Sequence, residues 1–353
     1  MDGYLANTGK IIKEYLDEYN VDIKTFKELS KLSNSQWKSY CRGNFKITND
    51  ILDSLSELIP TIQKSYWINL DKKYHEYVEK EFNSFTIDEK NLTKIARVFK
   101  FDEVFKGLGY TRLKQAIEML KILGISSFDE FSAKYSNLAI DFMEDGGELE
   151  PIAVWLKLCE EEVPIQNNDI SSVPFNAELL NKNLSNFKKL ALMKDSRGFN
   201  VNCRKLCNRL GINLVINCAL TNSKVRGALT TVEGNPTIYI SGRFKTHDHV
   251  WFAFMHEIGH LILHYEIDKS IVTMEDDGYF KEDEASQFAR DFFINQNDYD
   301  KFISSNEYTI KSKIIGFANE QKIQPGIVVG RLQHDGHIAM SSMNELKIRI
   351  NFE

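Results

Sequence analysis

At 353 residues, with 42% hydrophobic and 27% charged side chains, the chain has the composition of an ordinary globular protein with room for two or three domains. A net charge of −6 excludes a basic nucleic-acid coat, so any DNA binding must be local. The first residues hold no apolar run, and the longest apolar stretch, Val250 to Met255, is too short to cross a bilayer, so a cytoplasmic protein without membrane attachment is expected.

Residues 6 to 59 read as four short helices. Ile11, Ile12, Tyr15, Leu16 and Tyr19 follow helical spacing, and Phe26, Leu29 and Leu32 form the next set. Asn34-Ser35 is a candidate cap for a third helix carrying Trp37, Tyr40 and Cys41 and stopping at Gly43. Thr48 or Asn49 caps a fourth, which Pro60 breaks. Residues 66 to 165 stay helical, with an exposed turn expected at Met143 to Glu148. An amphipathic helix from Ile152 to Cys159 is expected to end at the acidic run Glu160 to Glu162.

Beyond a polar connection at Asn167 to Pro174 the pattern turns α+β. Leu179 to Leu190 and Asn200 to Leu210 read as helices and Gly211 to Cys218 as β-rich. Gly227 to Val232 and Thr237 to Ser241 resemble two strands around the turn Glu233-Gly234-Asn235-Pro236. Helices are expected at Glu282 to Phe293 and Ile310 to Asn319, with a short closing element, strand or helix, from Ile327. The five cysteines, Cys41, Cys159, Cys203, Cys207 and Cys218, are odd in number and sparse, which fits reduced thiols. Cys203 and Cys207 lack two further nearby ligands and are expected in a core.

The chemistry concentrates in Trp251 to His264, where His-Glu-x-x-His lies in an almost wholly apolar run. His256 and His260, four apart, share one helix face and suit two corners of a tetrahedral zinc site. Glu257, about a hundred degrees around the helix from His256, is placed to act as general base on a metal-activated water. A catalytic zinc needs a third protein ligand. The helix from Lys281 to Phe293 offers Glu282, carried inward by Ala285 and Ala289, with Glu284 as its rival.

The stretches SGRFKTHDHVWFAFMHEIGHLILH (241–264), EDEASQFARDFFI (282–294) and PGIVVGRLQHDG (325–336) resemble the ImmA/IrrE family of bacterial zinc metallo-endopeptidases. SYWINLDKKY (65–74) is similar to the end of a HigA-like Xre helix-turn-helix module, and AVWLKLCE (153–160) to the connecting helices. The usual Leu-Leu-Ile-Pro-like close of the second family helix is Phe-Phe-Ile-Asn here. The resemblance implies a mainly α protein: an all-α helix-turn-helix domain over 1–78, a helical connecting domain over 79–168, and an α+β zincin-like metallopeptidase domain over 169–353. It implies Zn2+ held by His256, His260 and Glu282, with Glu257 as general base and peptide hydrolysis as the reaction. Glu284 and His264 are candidates for supporting the ligands, ahead of His247, His249 and His334. Thr237 to Ser241 is a candidate edge strand for an extended substrate.

Between Glu28 and Asp50 no acidic residue occurs, while Lys31, Lys38, Arg42 and Lys46 do. These cations would meet phosphates, Gln36 and Ser39 could reach base edges, and Ser35 is a further candidate for DNA contact. Four cations are few for a monomer, which points to a homodimer if double-stranded DNA is bound. The usual glycine before a recognition helix is missing around Leu32-Ser33-Asn34. The expected partner is a protein substrate, a repressor or antitoxin-like protein encoded nearby, as in a toxin–antitoxin-like pair. The alternative readings are a DNA-binding regulator or a partner-binding scaffold whose zinc domain senses without cleaving. The acidic loop Asp268 to Tyr279 is a candidate self-inhibitory cover, with an exposed loop as the plainer reading.

Overall fold

The computed structural model describes residues 7–41, 46–138, 147–194, 198–243, 245–265 and 278–350. The chain divides into two compact units, 1–132 and 133–353, where the sequence reading set boundaries at 78 and 168. The expected class stands: the molecule is mostly helical, with a small three-stranded sheet in the C-terminal region. No described helix is long and apolar enough to cross a membrane.

The first unit begins with α1 (Thr8–Glu18), capped by Asn7, whose side chain accepts from Lys10 N at 2.9 Å. Ile12 and Leu16 of α1 join Phe26 of α2 (Ile23–Leu29), Trp37 and Tyr40 of α3 (Asn34–Tyr40) and Leu55 of α4 (Asn49–Leu58) in one core. Gly9 is required there, because a Cβ would lie 2.4 Å from the Tyr40 carbonyl oxygen. The cap of α3 is Ser33, one residue before the expected Asn34-Ser35. Gln36 N donates to Ser33 Oγ at 3.2 Å, and Ser33 N donates to Gln36 Oε1 at 2.9 Å, a reciprocal capping box. The left-handed residue of the preceding turn is Lys31 (φ 54°), where a glycine would be unstrained. Of the two expected candidates, Thr48 and Asn49, it is Thr48 that caps α4.

The long α5 (Lys64–Asn83) follows, then α6 (Leu92–Val98), α7 (Phe101–Val104) and α8 (Arg112–Leu123). Phe99, Phe101 and Phe131 are buried, as are Ala116, Leu120 and Leu123 of α8, and Gly124 ends α8 in the left-handed conformation.

In the second unit, α9 runs from Leu149 to Gln166. It does not stop at Glu160 to Glu162: the charges are tolerated while Trp155, Cys159 and Val163 are buried. Pro164 lies in the last turn, where its missing N–H costs a single bond. The expected turn at 143–148 falls mostly outside the described residues. The next helices are α10 (Ala177–Ala191) and α11 (Arg204–Arg209).

The sheet comprises β1 (Asn213–Ile216), β2 (Gly227–Val232) and β3 (Asn235–Ile240), in the order β1-β3-β2. β1 runs parallel and β2 antiparallel to β3. The hairpin turn is only Glu233-Gly234, both at positive φ (51° and 82°), which matches the twist of a two-residue connection. Pro236 therefore sits inside β3, and it is accommodated because pairing with β1 begins only at Thr237.

The expectation that Thr237 to Ser241 is an edge strand is overturned, because β3 is central and paired on both sides. The outer edge of β1 is closed by side chains. Gln166 accepts from Ile216 N and donates to Ile216 O, both at 3.0 Å. Asn167 accepts from Leu214 N at 2.9 Å, and Arg204 donates to Leu214 O at 3.0 Å.

One face of the sheet, with Leu214, Leu229, Ile238 and Ile240, shares a core with Trp251, Phe254 and Ile258 of α12 (His247–Leu263). The other face turns Tyr239 edge-on to Trp155 of α9. Four helices complete the unit: α13 (Gly278–Phe293), α14 (Gln296–Ser304), α15 (Lys311–Gln321) and α16 (Pro325–His334). The element from Ile327 is thus helical. The C-terminal stretch returns to the start of α12, where His247 N donates to Ile348 O at 2.8 Å and Lys347 pairs with buried Asp248 at 2.7 Å.

Candidate metal centre

α12 is apolar almost all round, because it is buried by the sheet on one side and by α13 on another. Gly259 brings α13 close: a Cβ there would lie 3.1 Å from Ala285 Cα, and Ala285 and Ala289 are fully buried on the facing helix. This close packing carries Glu282 over the two histidines of α12. Its carboxylate oxygens lie 2.9 Å from His256 Nε2 and 3.0 Å from His260 Nε2. The two Nε2 atoms are themselves 3.0 Å apart.

His256, His260 and Glu282 are the His/Cys/Asp/Glu group among the described residues whose ligand atoms converge, all within 4.8 Å of one another. Two imidazole nitrogens and one carboxylate form a donor set suited to catalytic zinc, with the fourth position left for water. The two Nε2 atoms aim at one point, and at most one of them can donate a proton to the other. The residues therefore fit a divalent cation. Burial opposes ionisation of Glu282, yet the His256 and His260 imidazoles facing it hold its carboxyl well below the usual carboxylate range.

Glu257 is buried beside this cluster. Burial pushes its carboxyl up to about 8, with His260 opposing and Glu282 reinforcing. A dication held by the cluster would lower it again.

The two glutamates weighed as third ligand separate cleanly. Glu282 joins the cluster, while Glu284 Oε2 lies 2.9 Å from His264 Nε2. His264 Nδ1 in turn lies 3.1 Å from His260 Nδ1. The other histidines are engaged elsewhere. His247 is buried against Trp251, His249 Nδ1 lies 2.7 Å from Thr246 Oγ1, and His334 Nδ1 lies 3.0 Å from Asp335 Oδ1. Cys203 and Cys207 are buried in the core, as expected.

Two contributors went unnoticed in the sequence. Ser286 Oγ lies 3.1 Å from His256 Nδ1, and its position four residues after Glu282 was a usable signal. Gly227 of β2 abuts Glu257, and no local pattern could have shown it. A cleft of about 860 Å3 opens on the α9 face of the sheet, lined by Leu156, Lys157, Glu160, Asn213, Thr230 and Tyr239. No residue of the cluster lines it.

Of the residues considered for DNA, Gln36 is exposed but used in the α3 capping box, and Lys46 is exposed. Lys31 pairs with Asp50 at 3.0 Å. Ser35, Lys38 and Ser39 lie on α3, whose side chains at those positions are outside the described set, as are Arg42 and Gly43 altogether. The acidic cluster Glu275-Asp276-Asp277 also lies outside the described residues.

Residues 207–327, about a third of the chain, match the family model Peptidase_M78, the IrrE N-terminal-like domain. The matched segment contains the whole sheet, α12, α13 and all three converging residues. The match supports a metallopeptidase of the IrrE/ImmA type, a family that implies a metal, usually zinc. No curated protein and no solved structure matches the chain.

Proposed function

We propose that the chain is a zinc-dependent endopeptidase in which His256, His260 and Glu282 hold the metal and Glu257 is the general base. The observation that carries this reading is the convergence of those three ligand atoms, with a buried carboxylate on the same helix. A pure structural metal site has no use for Glu257. Bound there, zinc would polarise the scissile carbonyl and acidify a water. Glu257 takes the proton onto its carboxylate and returns it to the departing amine. Its burial keeps bulk water from competing for that proton.

The outer edge of β2 supports peptide binding. β1 is closed by Gln166, Asn167 and Arg204, whereas β2 has no strand on its outer side among the described residues. Its first residue, Gly227, lies against Glu257. An extended substrate paired along β2 would be led toward the metal. The substrate we infer is a repressor or antitoxin-like protein encoded near this one. The N-terminal helices would locate it or bind DNA as a helix-turn-helix module. Both inferences rest on the family resemblance.

The test measures zinc per chain and cleavage of the neighbouring gene's product, for wild type and Glu257→Gln. Zinc in both proteins with cleavage only by wild type is expected. Cleavage by Glu257→Gln at the wild-type rate would remove the general base, and absence of zinc from wild type would remove the enzyme.

A further inference from the structure

Glu284, His264 and His260 form a continuous hydrogen-bonded chain leading away from the metal centre. We propose that this chain is a relay that holds the His260 proton on Nδ1, so that Nε2 presents its lone pair to the metal; the inference rests on the zinc reading above. His264 and Glu284 are then positioning residues, neither of them a ligand.

The direction of the relay follows from counting protons. A carboxylate has only acceptors, so the 2.9 Å contact with Glu284 Oε2 needs a proton on His264 Nε2. Neutral imidazole carries one N–H, so His264 Nδ1 is left as an acceptor. The 3.1 Å contact between the two Nδ1 atoms then calls for the proton on His260 Nδ1, which in the neutral imidazole leaves Nε2 bare. The His264 side chain is only 8% exposed, which limits the access of water to its ring nitrogens.

The relay matters because Glu282 pulls the other way. Its carboxylate lies 3.0 Å from His260 Nε2 and would accept a proton there, in the tautomer that cannot bind metal. Glu284, acting through His264, offers a competing acceptor at the far end. His256 has no such bias. Its Nδ1 faces Ser286 Oγ at 3.1 Å, and a hydroxyl can donate or accept. The two histidine ligands thus differ: His260 is set in advance and His256 adjusts on binding. The arrangement extends by one imidazole the carboxylate–histidine pairing that commonly orients metal ligands.

The experiment measures zinc affinity by chelator competition for wild type, His264→Leu, His264→Gln, Glu284→Ala and Glu284→Gln. The histidine 15N–1H correlation spectrum of the zinc-loaded wild type is recorded alongside. His264→Leu and Glu284→Ala are expected to weaken zinc binding about 10- to 100-fold. The glutamine variants, which can pass a hydrogen bond in both directions or accept one, are expected to recover most of that loss. The spectrum should show His264 protonated at Nε2 alone. Melting without zinc should be little changed, so that the stabilisation gained on adding zinc shrinks in His264→Leu. Wild-type zinc affinity in His264→Leu, or His264 protonated at Nδ1, would overturn the relay while leaving the metal centre intact. Wild type that takes up no zinc would overturn the metallopeptidase reading itself.

Discussion

The Glu257 carboxylate and Gly227 share a space that admits no side chain: a Cβ on residue 227 would stand 2.6 Å from Oε1 and 3.2 Å from Cγ of Glu257. The proposed general base is thus seated by the backbone of β2 as well as by its own helix.

Gly227→Ala is therefore expected to displace the Glu257 carboxylate without touching His256, His260 or Glu282. Glu257 is too deeply buried to swing clear, so its carboxylate must move off line. A misplacement of about 1 Å can cost about 100-fold in rate. Zinc per chain should stay at the wild-type level while kcat falls at least about tenfold. Loss of zinc together with activity would show that residue 227 supports the ligands as well.

The second close approach joins the two helices that make the site. Gly259→Val would drive a Cβ into Ala285, 3.1 Å from its Cα, with further atoms to place. Overpacking of this kind costs about 1–3 kcal/mol. Because α13 carries Glu282, the same change should weaken zinc binding, which Gly316→Ala, with nothing within 4 Å of its Cβ, should not do. Equal zinc affinity in the two variants would separate helix spacing from ligand placement.

Acid stability supplies a third prediction. Burial lowers the His247 pKa to about 4, so between the unfolded value near 6.5 and 4 the unfolded chain binds a proton that the folded chain refuses. Stability is therefore lost as pH falls through that window and levels off below it, a loss of about 3 kcal/mol. Asp248 adds to the loss at lower pH. Burial opposes its ionisation, but His249 and Lys347 hold its pKa at about 2, so its contribution is present above about 3.8 and disappears as pH falls toward 2. Urea titrations of wild type and His247→Leu from pH 7 to 4 check this. The variant should lose the slope between 6.5 and 4, and a slope unchanged in the variant would assign it to another group.

Sequence and structure agree best where the determining contacts are local. Thr48 was legible as the cap of α4 because a cap acts within three residues. The hairpin of β2 and β3 was legible from Gly234, although its turn is two residues long and Pro236 lies within the strand. The end of α9 was misread because the acidic run is a solvated surface and does not terminate a helix whose other side is buried. Strand order could not be read at all. Which of three short strands lies between the others depends on pairings across 24 residues, such as Asn213 with Thr237, and this turned the expected edge strand into the centre of the sheet.

The sequence by itself determined that His256 and His260 stand together, since a four-residue helical spacing fixes their common face whatever surrounds it. It also placed Glu257 beside them and offered two glutamates for one role. Only the tertiary structure divided that offer, sending Glu282 to the histidine nitrogens and Glu284 to His264. The reason is that a helix rotates about a hundred degrees per residue, so a carboxylate's partner is set by the approach and rotation of the helix it faces. That approach is decided by the close fit of Gly259, which has no side chain, against Ala285, two residues 26 positions apart.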